Sequence, residues 1–196
     1  MTAWIGTSGW SYDHWDGVLY EPGTPPRDRL ARYAAEFRTV ELNASFYRWP
    51  RDATFGSWRR RLPEGFRMTV KAPRGLTHAR RLYSPEVWAR RITTSWDLLG
   101  ERRGVLLVQL PPSLARDDAR LDWFLGALPR HVPAAVEFRH DSWLHDDVFT
   151  ILERHGEKLA ITMTRDERYL SIAVEDDGPG IPADKRDLVF RPFFRL

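Results

Sequence analysis

Six short apolar runs alternate along the chain with segments of helical periodicity. The runs are predicted to be β-strands, and they lie at residues 4–6, 39–42, 67–70, 104–110, 134–138 and 158–163. Strands that alternate with helices pair in parallel through right-handed crossovers. The sequence therefore predicts an α/β fold, either an α/β barrel or a doubly wound sheet.

The intervening segments show apolar residues at helical spacing and carry helix-terminal signals. Helices are predicted at residues 27–37, 53–61, 85–99, 118–128 and 146–155. Ser84 is the predicted N-cap of the third helix, with Pro85 at its first position, and Asp117 or Asp118 is the predicted cap of the fourth. The turn after the first strand contains Gly6 and Gly9 but no G-x-G-x-x-G, so no dinucleotide fingerprint is present.

Polar residues follow the predicted strands, as they do in a (β/α)8 barrel, whose active site lies at the carboxyl ends of the strands. A complete barrel of this kind takes about 250 residues, whereas this chain has 196. We therefore expect an incomplete (β/α)8 TIM-barrel-like unit over residues 1–156, followed by a separate tail over residues 157–196.

The composition excludes several classes of protein. The chain has no Cys, which rules out disulfides and thiolate metal sites and fits a reducing compartment. No apolar run approaches the roughly 20 residues of a membrane span, and the amino terminus lacks signal-peptide character, so we predict a cytoplasmic protein without a membrane partner. Arg pairs such as Arg80-Arg81 are interspersed with acidic residues, so nucleic-acid binding is not favoured.

Five polar or charged side chains occupy predicted strands or the positions that end them. Burial of a charge is costly unless the charge is paired, so these residues should satisfy one another where the strands end. On one interpretation they form a polar pocket with Trp10, Tyr47 and Trp143 at its rim. On the other they form a structural salt-bridge network that closes the barrel. The five are Glu41, Lys71, Gln109, Glu137 and Arg139.

Chemical roles follow from residue type. Glu41 and Glu137 are candidates for general acid and base, and Lys71 is less favoured as a Schiff-base lysine. His78 and His140 match no compact metal motif, so no metal site is predicted. The sequence names no cofactor, substrate or reaction.

Five separated segments, in order, resemble the DUF72 (YecE-like) family of TIM-barrel proteins, whose biochemical function is unsettled. The segments are IGTSGWSYDHWDGVLY, FRTVELNASFYRWP, FRMTVKAPRGLTH, VQLPPS and VEFRHDSW, and the resemblance covers residues 5–156. It implies a polar pocket at the barrel mouth, lined by Ser8, Trp10, Glu41, Asn43, Tyr47, Lys71, His78, Gln109, Glu137, Arg139, His140 and Trp143.

The tail resembles a different family. Asp176, Gly178 and Gly180 fit the D-x-G-x-G box of sensor histidine kinase ATP-binding domains, where the Asp accepts from the adenine amino group. Ile151 stands where such domains carry the Asn that holds Mg²⁺, and the chain ends at Leu196, before a phosphate lid. Nucleotide binding at Asp176, Gly178 and Gly180 is therefore a weaker hypothesis than ligand binding at the barrel mouth.

Three functional hypotheses follow. The first is a DUF72-type barrel that binds a small polar or anionic ligand or acts as a hydrolase, with Lys71 and Arg139 holding the anion. The second is an ATP-binding signalling module, a remnant of a histidine kinase. The third is a truncated fusion without function, of natural or artificial origin. An incomplete barrel leaves strand edges unpaired, so we also expect self-association or low stability.

Overall fold

A mostly parallel sheet of seven strands organises the described part of the chain. The computed structural model describes residues 4–155 together with the backbone of residues 159–165 and 170–175. The strands follow their chain order across the sheet, and all neighbours pair in parallel except the last two, which are antiparallel. They are β1 Gly6–Ser8, β2 Thr39–Leu42, β3 Arg67–Lys71, β4 Arg103–Gln109, β5 Ala134–Phe138, β6 Leu159–Arg165 and β7 Leu170–Glu175.

Helices connect the parallel strands, which confirms the predicted α/β class. Short 3₁₀ or π-helical turns add to them, at Asp13–Trp15, Gly75–Ala79, Gly100–Arg102 and Asp141–Trp143. The α-helices are α1 Pro26–Glu36, α2 Ala44–Tyr47, α3 Asp52–Arg61, α4 Glu86–Leu99, α5 Asp118–Ala127 and α6 Asp146–Arg154. Within the described part of the chain, no helix is both long and apolar enough to cross a membrane.

The centre of the sheet is covered on both faces. Every residue of β5 is buried, as are the last four residues of β4. Strands of a parallel sheet that are packed on both faces are normally apolar throughout. Gln109 and Glu137 are therefore exceptions, since both are buried at the ends of such strands. Each needs a hydrogen-bond or ion-pair partner.

The first strand lies two residues later than predicted. We expected it at residues 4–6, but β1 spans Gly6–Ser8, and Ile5 is exposed. Pairing with β2 fixes this position, because a Cβ atom on Gly6 would lie 2.1 Å from the carbonyl oxygen of Thr39. Only glycine allows the two backbones to approach so closely. The apolar run therefore indicated that a strand is present, whereas the close contact between Gly6 and Thr39 fixes its position in the sheet.

The start of α4 also differs from the prediction. The helix begins at Glu86, its N-cap is Pro85, and no side chain caps it. Ser84, the predicted N-cap, instead has a left-handed backbone with φ of 46°, as do Arg81 at 50° and Leu82 at 66°. The chain enters the helix through this left-handed turn, so the Ser84 side chain does not cap α4. At α5, by contrast, the Asp117 carboxylate accepts from the Arg120 N–H at 3.0 Å, which confirms that cap.

The last two strands form a hairpin. β6 and β7 pair antiparallel at six positions, and β6 covers most of the strand predicted at residues 158–163. β1 and β7 are the outer strands of the described sheet. The predicted self-association through strand edges remains a prediction, and Asp176, Gly178 and Gly180 lie outside the described residues.

Candidate functional site

The carboxyl ends of β1 to β5 bring together most of the predicted polar residues. We use the name strand-end cluster for seven of them, which are connected by hydrogen bonds, ion pairs or electrostatic interaction. They are Ser8, Glu41, Lys71, His78, Gln109, Glu137 and Arg139.

The buried half of the cluster is centred on Glu137, which is 6% exposed. Its Oε2 accepts from Gln109 Nε2 at 2.8 Å, and its Oε1 accepts from Arg139 Nε at 2.6 Å. Both carboxylate oxygens therefore have a partner, which is the condition for keeping a charged carboxylate in the interior. Gln109 and Glu137 face each other because β4 and β5 pair at these two residues.

The more open half is centred on Glu41. Its Oε1 accepts from Ser8 Oγ at 3.0 Å and lies 3.7 Å from Lys71 Nζ, and 25% of its side chain is exposed. The separation from Lys71 exceeds a normal hydrogen bond. Only 12% of the Lys71 side chain is exposed, and its ammonium lies 5.4 Å from the centre of the Phe46 ring. Within the described residues, Glu41 Oε2 has no hydrogen-bond partner.

His78 connects the two halves. It lies on the helical turn Gly75–Ala79 that follows β3, and its ring meets the Phe46 ring edge to face, with centroids 5.0 Å apart. Burial lowers the pKa of His78 below the ordinary histidine value, and the charges of Arg74, Arg139 and Lys71 lower it further. The imidazole is therefore neutral near pH 7.

Trp143 was predicted at the rim of the pocket, and this placement is wrong. Its side chain is 1% exposed, stacks on Phe138 with centroids 4.9 Å apart, and donates from Nε1 to the carbonyl oxygen of Leu114 at 2.7 Å. The turn Asp141–Trp143 directs the indole into the core, where it forms its own hydrogen bond. It is a core residue.

The other predicted lining residues lie outside the strand-end cluster. Tyr47 is 78% exposed and contacts Phe46 edge to face, whereas Trp10 is partly buried against Trp58. His140 interacts through Nδ1 with Ser142, outside the cluster. Asn43 precedes α2, and its side chain makes no cap hydrogen bond. Their predicted contact with a ligand remains a prediction.

Three residues at the site did not emerge from the sequence. Phe46 contacts both Lys71 and His78, and Thr77 Oγ1 lies 2.9 Å from His78 Nδ1. Ser45 is buried, and its Oγ lies 2.7 Å from the carbonyl oxygen of Leu42 and 2.6 Å from that of Lys71, so it joins the ends of β2 and β3. A hydroxyl just after a strand, where backbone carbonyls lose their sheet partners, is the signal that would have indicated Ser45.

Two surface depressions lie away from the cluster. One, of about 490 Å³, is at the opposite end of the sheet, beside Arg67 and Arg103 where β3 and β4 begin. The other, of about 390 Å³, is between α5 and α6. Neither contains a residue of the strand-end cluster. Among the described residues, no three His, Asp or Glu side chains are arranged to hold a metal ion.

The chain belongs to the DUF72 family, since the sequence model described as "Protein of unknown function DUF72" matches residues 4–184. A curated relative, the UPF0759 protein YunF of Bacillus subtilis (strain 168), is 32% identical over 149 residues. That alignment covers 71% of this chain and 51% of YunF, so the chain spans about half the length of this relative. The family match includes residues 157–184, which the sequence alone assigned to the tail.

Solved structures of the family share the fold. A DUF72 family protein from Thermotoga maritima MSB8 superposes with a TM-score of 0.67 at 31% identity, covering 81% of this chain and 63% of that one. A DUF72 family protein from Enterococcus faecalis V583 gives a TM-score of 0.60 at 20% identity, covering 78% of this chain and 57% of that one. The first relationship extends to sequence, and the second shows the fold alone.

Proposed function

We propose that the carboxyl ends of β1 to β5 form the mouth of a barrel that binds a small anionic ligand between Lys71 and Arg139. The observation that carries this proposal is the set of unused N–H donors on two partly buried cations. Arg139 uses only Nε to reach Glu137, and the nearest carboxylate oxygen to Lys71 Nζ is 3.7 Å away. Within the described residues, both guanidinium amino groups of Arg139 lack a partner.

The charge balance supports an anion. The charges of three cations, Lys71, Arg74 and Arg139, act on His78. Lys71 pairs with Glu41 and Arg139 pairs with Glu137, whereas Arg74 has no carboxylate partner within the described residues. Three positive charges minus two negative charges leave one positive charge in excess. In a partly desolvated site this excess attracts an anion more strongly than the same charge in bulk water.

If the ligand is a substrate, Glu41 rather than Glu137 would be the general acid or base. Both oxygens of Glu137 are occupied by Gln109 and Arg139 inside the protein. Glu41 is more exposed, and its Oε2 has no partner within the described residues. A general base must reach the proton that it accepts, so the geometry favours the open carboxylate. A hydrolase-like role would therefore depend on Glu41.

The test is a calorimetric titration of the full chain with phosphate, sulfate and small carboxylates. We expect saturable binding of at least one anion, and an affinity about tenfold lower in Lys71→Met and Arg139→Met, because a hydrogen bond to a charged group contributes about 1.5–3 kcal/mol. Arg27→Met is the matched control, since its side chain is 83% exposed on α1. The proposal fails if no anion saturates the wild-type chain, or if the two site variants bind like the control.

Nucleotide binding by Asp176, Gly178 and Gly180 is the second candidate. Its support is the D-x-G-x-G sequence, which begins directly after β7 ends at Glu175. Saturable binding of a non-hydrolysable ATP analogue that is lost in Asp176→Ala would favour this candidate. Retention of that binding in Asp176→Ala would assign the nucleotide to another surface. If neither anions nor nucleotide bind, the third hypothesis, a fusion without function, gains support.

A further inference from the structure

We infer that His78 is the hydrogen-bond acceptor of the strand-end cluster and that the ligand is an anion carrying a hydroxyl group close to its charge. This inference rests on the proposed anion site and deepens it, since it names the class of ligand. Hydroxy acids and phosphate esters of small polyols share this chemistry.

The position of His78 supports the inference first. Phe46 contacts His78 through one ring interaction and Lys71 through another, with distances of 5.0 Å to the imidazole centroid and 5.4 Å to the ammonium. The imidazole and the ammonium therefore border the same aromatic side chain. The charges of Lys71 and Arg139 also act on the imidazole, so a ligand held between these two cations would lie near it.

The hydrogen bonds of Thr77 indicate which ring nitrogen is free. Thr77 is fully buried, and its hydroxyl donates to the carbonyl oxygen of Pro73 at 3.4 Å. The same Oγ1 lies 2.9 Å from His78 Nδ1, a contact in which either atom can supply the hydrogen, depending on the tautomer of the imidazole. Our inference takes the tautomer in which the Thr77 hydrogen points to Pro73 and Nδ1 carries the imidazole proton, which leaves Nε2 as an acceptor. Within the described residues, Nε2 has no hydrogen-bond partner.

The surroundings keep the ring neutral. The charged groups that face His78 are Arg74 on its own turn, Lys71 on β3 and Arg139 just after β5, and all three are cations. They lower the pKa of His78, in addition to the effect of burial. A neutral imidazole with a free Nε2 accepts a hydrogen bond, whereas an imidazolium would add a fourth cation and accept none.

This acceptor distinguishes two kinds of anion. A simple anion presents only acceptor atoms, which Lys71 and Arg139 can bind but His78 Nε2 cannot. An anion that also has an O–H group donates that hydrogen to Nε2 and leaves no polar group unpaired. The site should therefore discriminate against the analogue that lacks the hydroxyl.

The experiment compares glycerol 1-phosphate with propyl phosphate, which has the same chain length and no hydroxyl. At pH 7.5 we expect glycerol 1-phosphate to bind about fivefold more tightly, the equivalent of one hydrogen bond of about 1 kcal/mol. In His78→Leu this preference should disappear, so that the two esters bind with equal affinity. His78→Gln, whose amide oxygen also accepts, should restore part of the preference.

Lowering the pH supplies a second readout. As the pH falls below the pKa of His78, Nε2 gains a proton and the preference of the wild-type chain should vanish. Both phosphate esters also gain a proton at about pH 6, and the protonated ester has an O–H group of its own. His78→Gln has no titrating imidazole, so the change of its affinity ratio with pH measures this ligand contribution. The ratio of the wild-type chain should fall by more, and thermal melts of each variant report folding.

The outcomes separate the two proposals. If neither ester binds, the anion site fails and the inference fails with it. If both bind equally to the wild-type chain, the anion site stands and the inference is overturned. A hydroxyl preference that persists in His78→Leu, or that does not change with pH in the wild-type chain, also overturns it.

Discussion

Glu137→Leu should lower the free energy of unfolding by about 3–5 kcal/mol, as expected when one partner of a buried ion pair is removed. The leucine would leave Arg139 without its carboxylate and the buried Gln109 Nε2 without its acceptor. Urea denaturation followed by circular dichroism measures this change. Two-state behaviour and an unchanged denaturant slope are required to convert the midpoints to free energies.

Glu41→Leu is the matched control. Glu41 is the partner of the other ion pair, but it is more exposed and lies 3.7 Å from Lys71. A partly exposed ion pair with this separation contributes less than a close, buried pair, so this variant should lose less stability than Glu137→Leu. Equal destabilisation by the two leucine substitutions would contradict the division of the cluster into a buried and an open half.

Trp143→Ala should lower the free energy of unfolding by about 3–5 kcal/mol, the usual range for removal of a buried aromatic side chain. The substitution removes the stacking on Phe138 and leaves the carbonyl oxygen of Leu114 without its indole donor. The same urea titration measures the loss. Trp10→Ala is the control, since Trp10 is only partly buried and should cost clearly less.

The pair of tryptophan variants also tests the corrected position of Trp143. A binding residue at the rim would affect ligand affinity with little effect on stability. A core residue affects stability first, and affinity only through the fold. A small stability change in Trp143→Ala, with a larger one in Trp10→Ala, would return Trp143 to the rim.

Much of the fold was predictable because its determinants are local. The runs at residues 39–42 and 134–138 match β2 and β5 residue for residue. Strand ends of a parallel sheet meet at one edge, so residues that end different strands could be expected to meet. The pairing of Gln109 with Glu137 and of Glu41 with Lys71 follows from this rule.

The remaining features depend on contacts that no local pattern encodes. Trp143 and Tyr47 are both aromatic residues that follow strand ends, yet the short turn after β5 buries one and α2 exposes the other. The contact of Phe46 with His78 joins two short helical segments that follow different strands. Ser84 has the composition of an N-cap, but the backbone that arrives from Leu82 prevents that role.

The left-handed turn after His78 would couple the proposed ligand recognition to folding. Arg81, Leu82 and Ser84 each adopt a backbone that costs about 1–2 kcal/mol for a residue with a side chain. The turn is maintained from outside itself, since Leu82 is buried and its N–H donates to the carbonyl oxygen of Leu76 at 3.0 Å. Anything that loosens the core beneath Leu82 lets this segment relax and displaces the imidazole. A ligand that engages His78 would in turn hold the segment in place, so the bound chain should resist local opening there more than the free one.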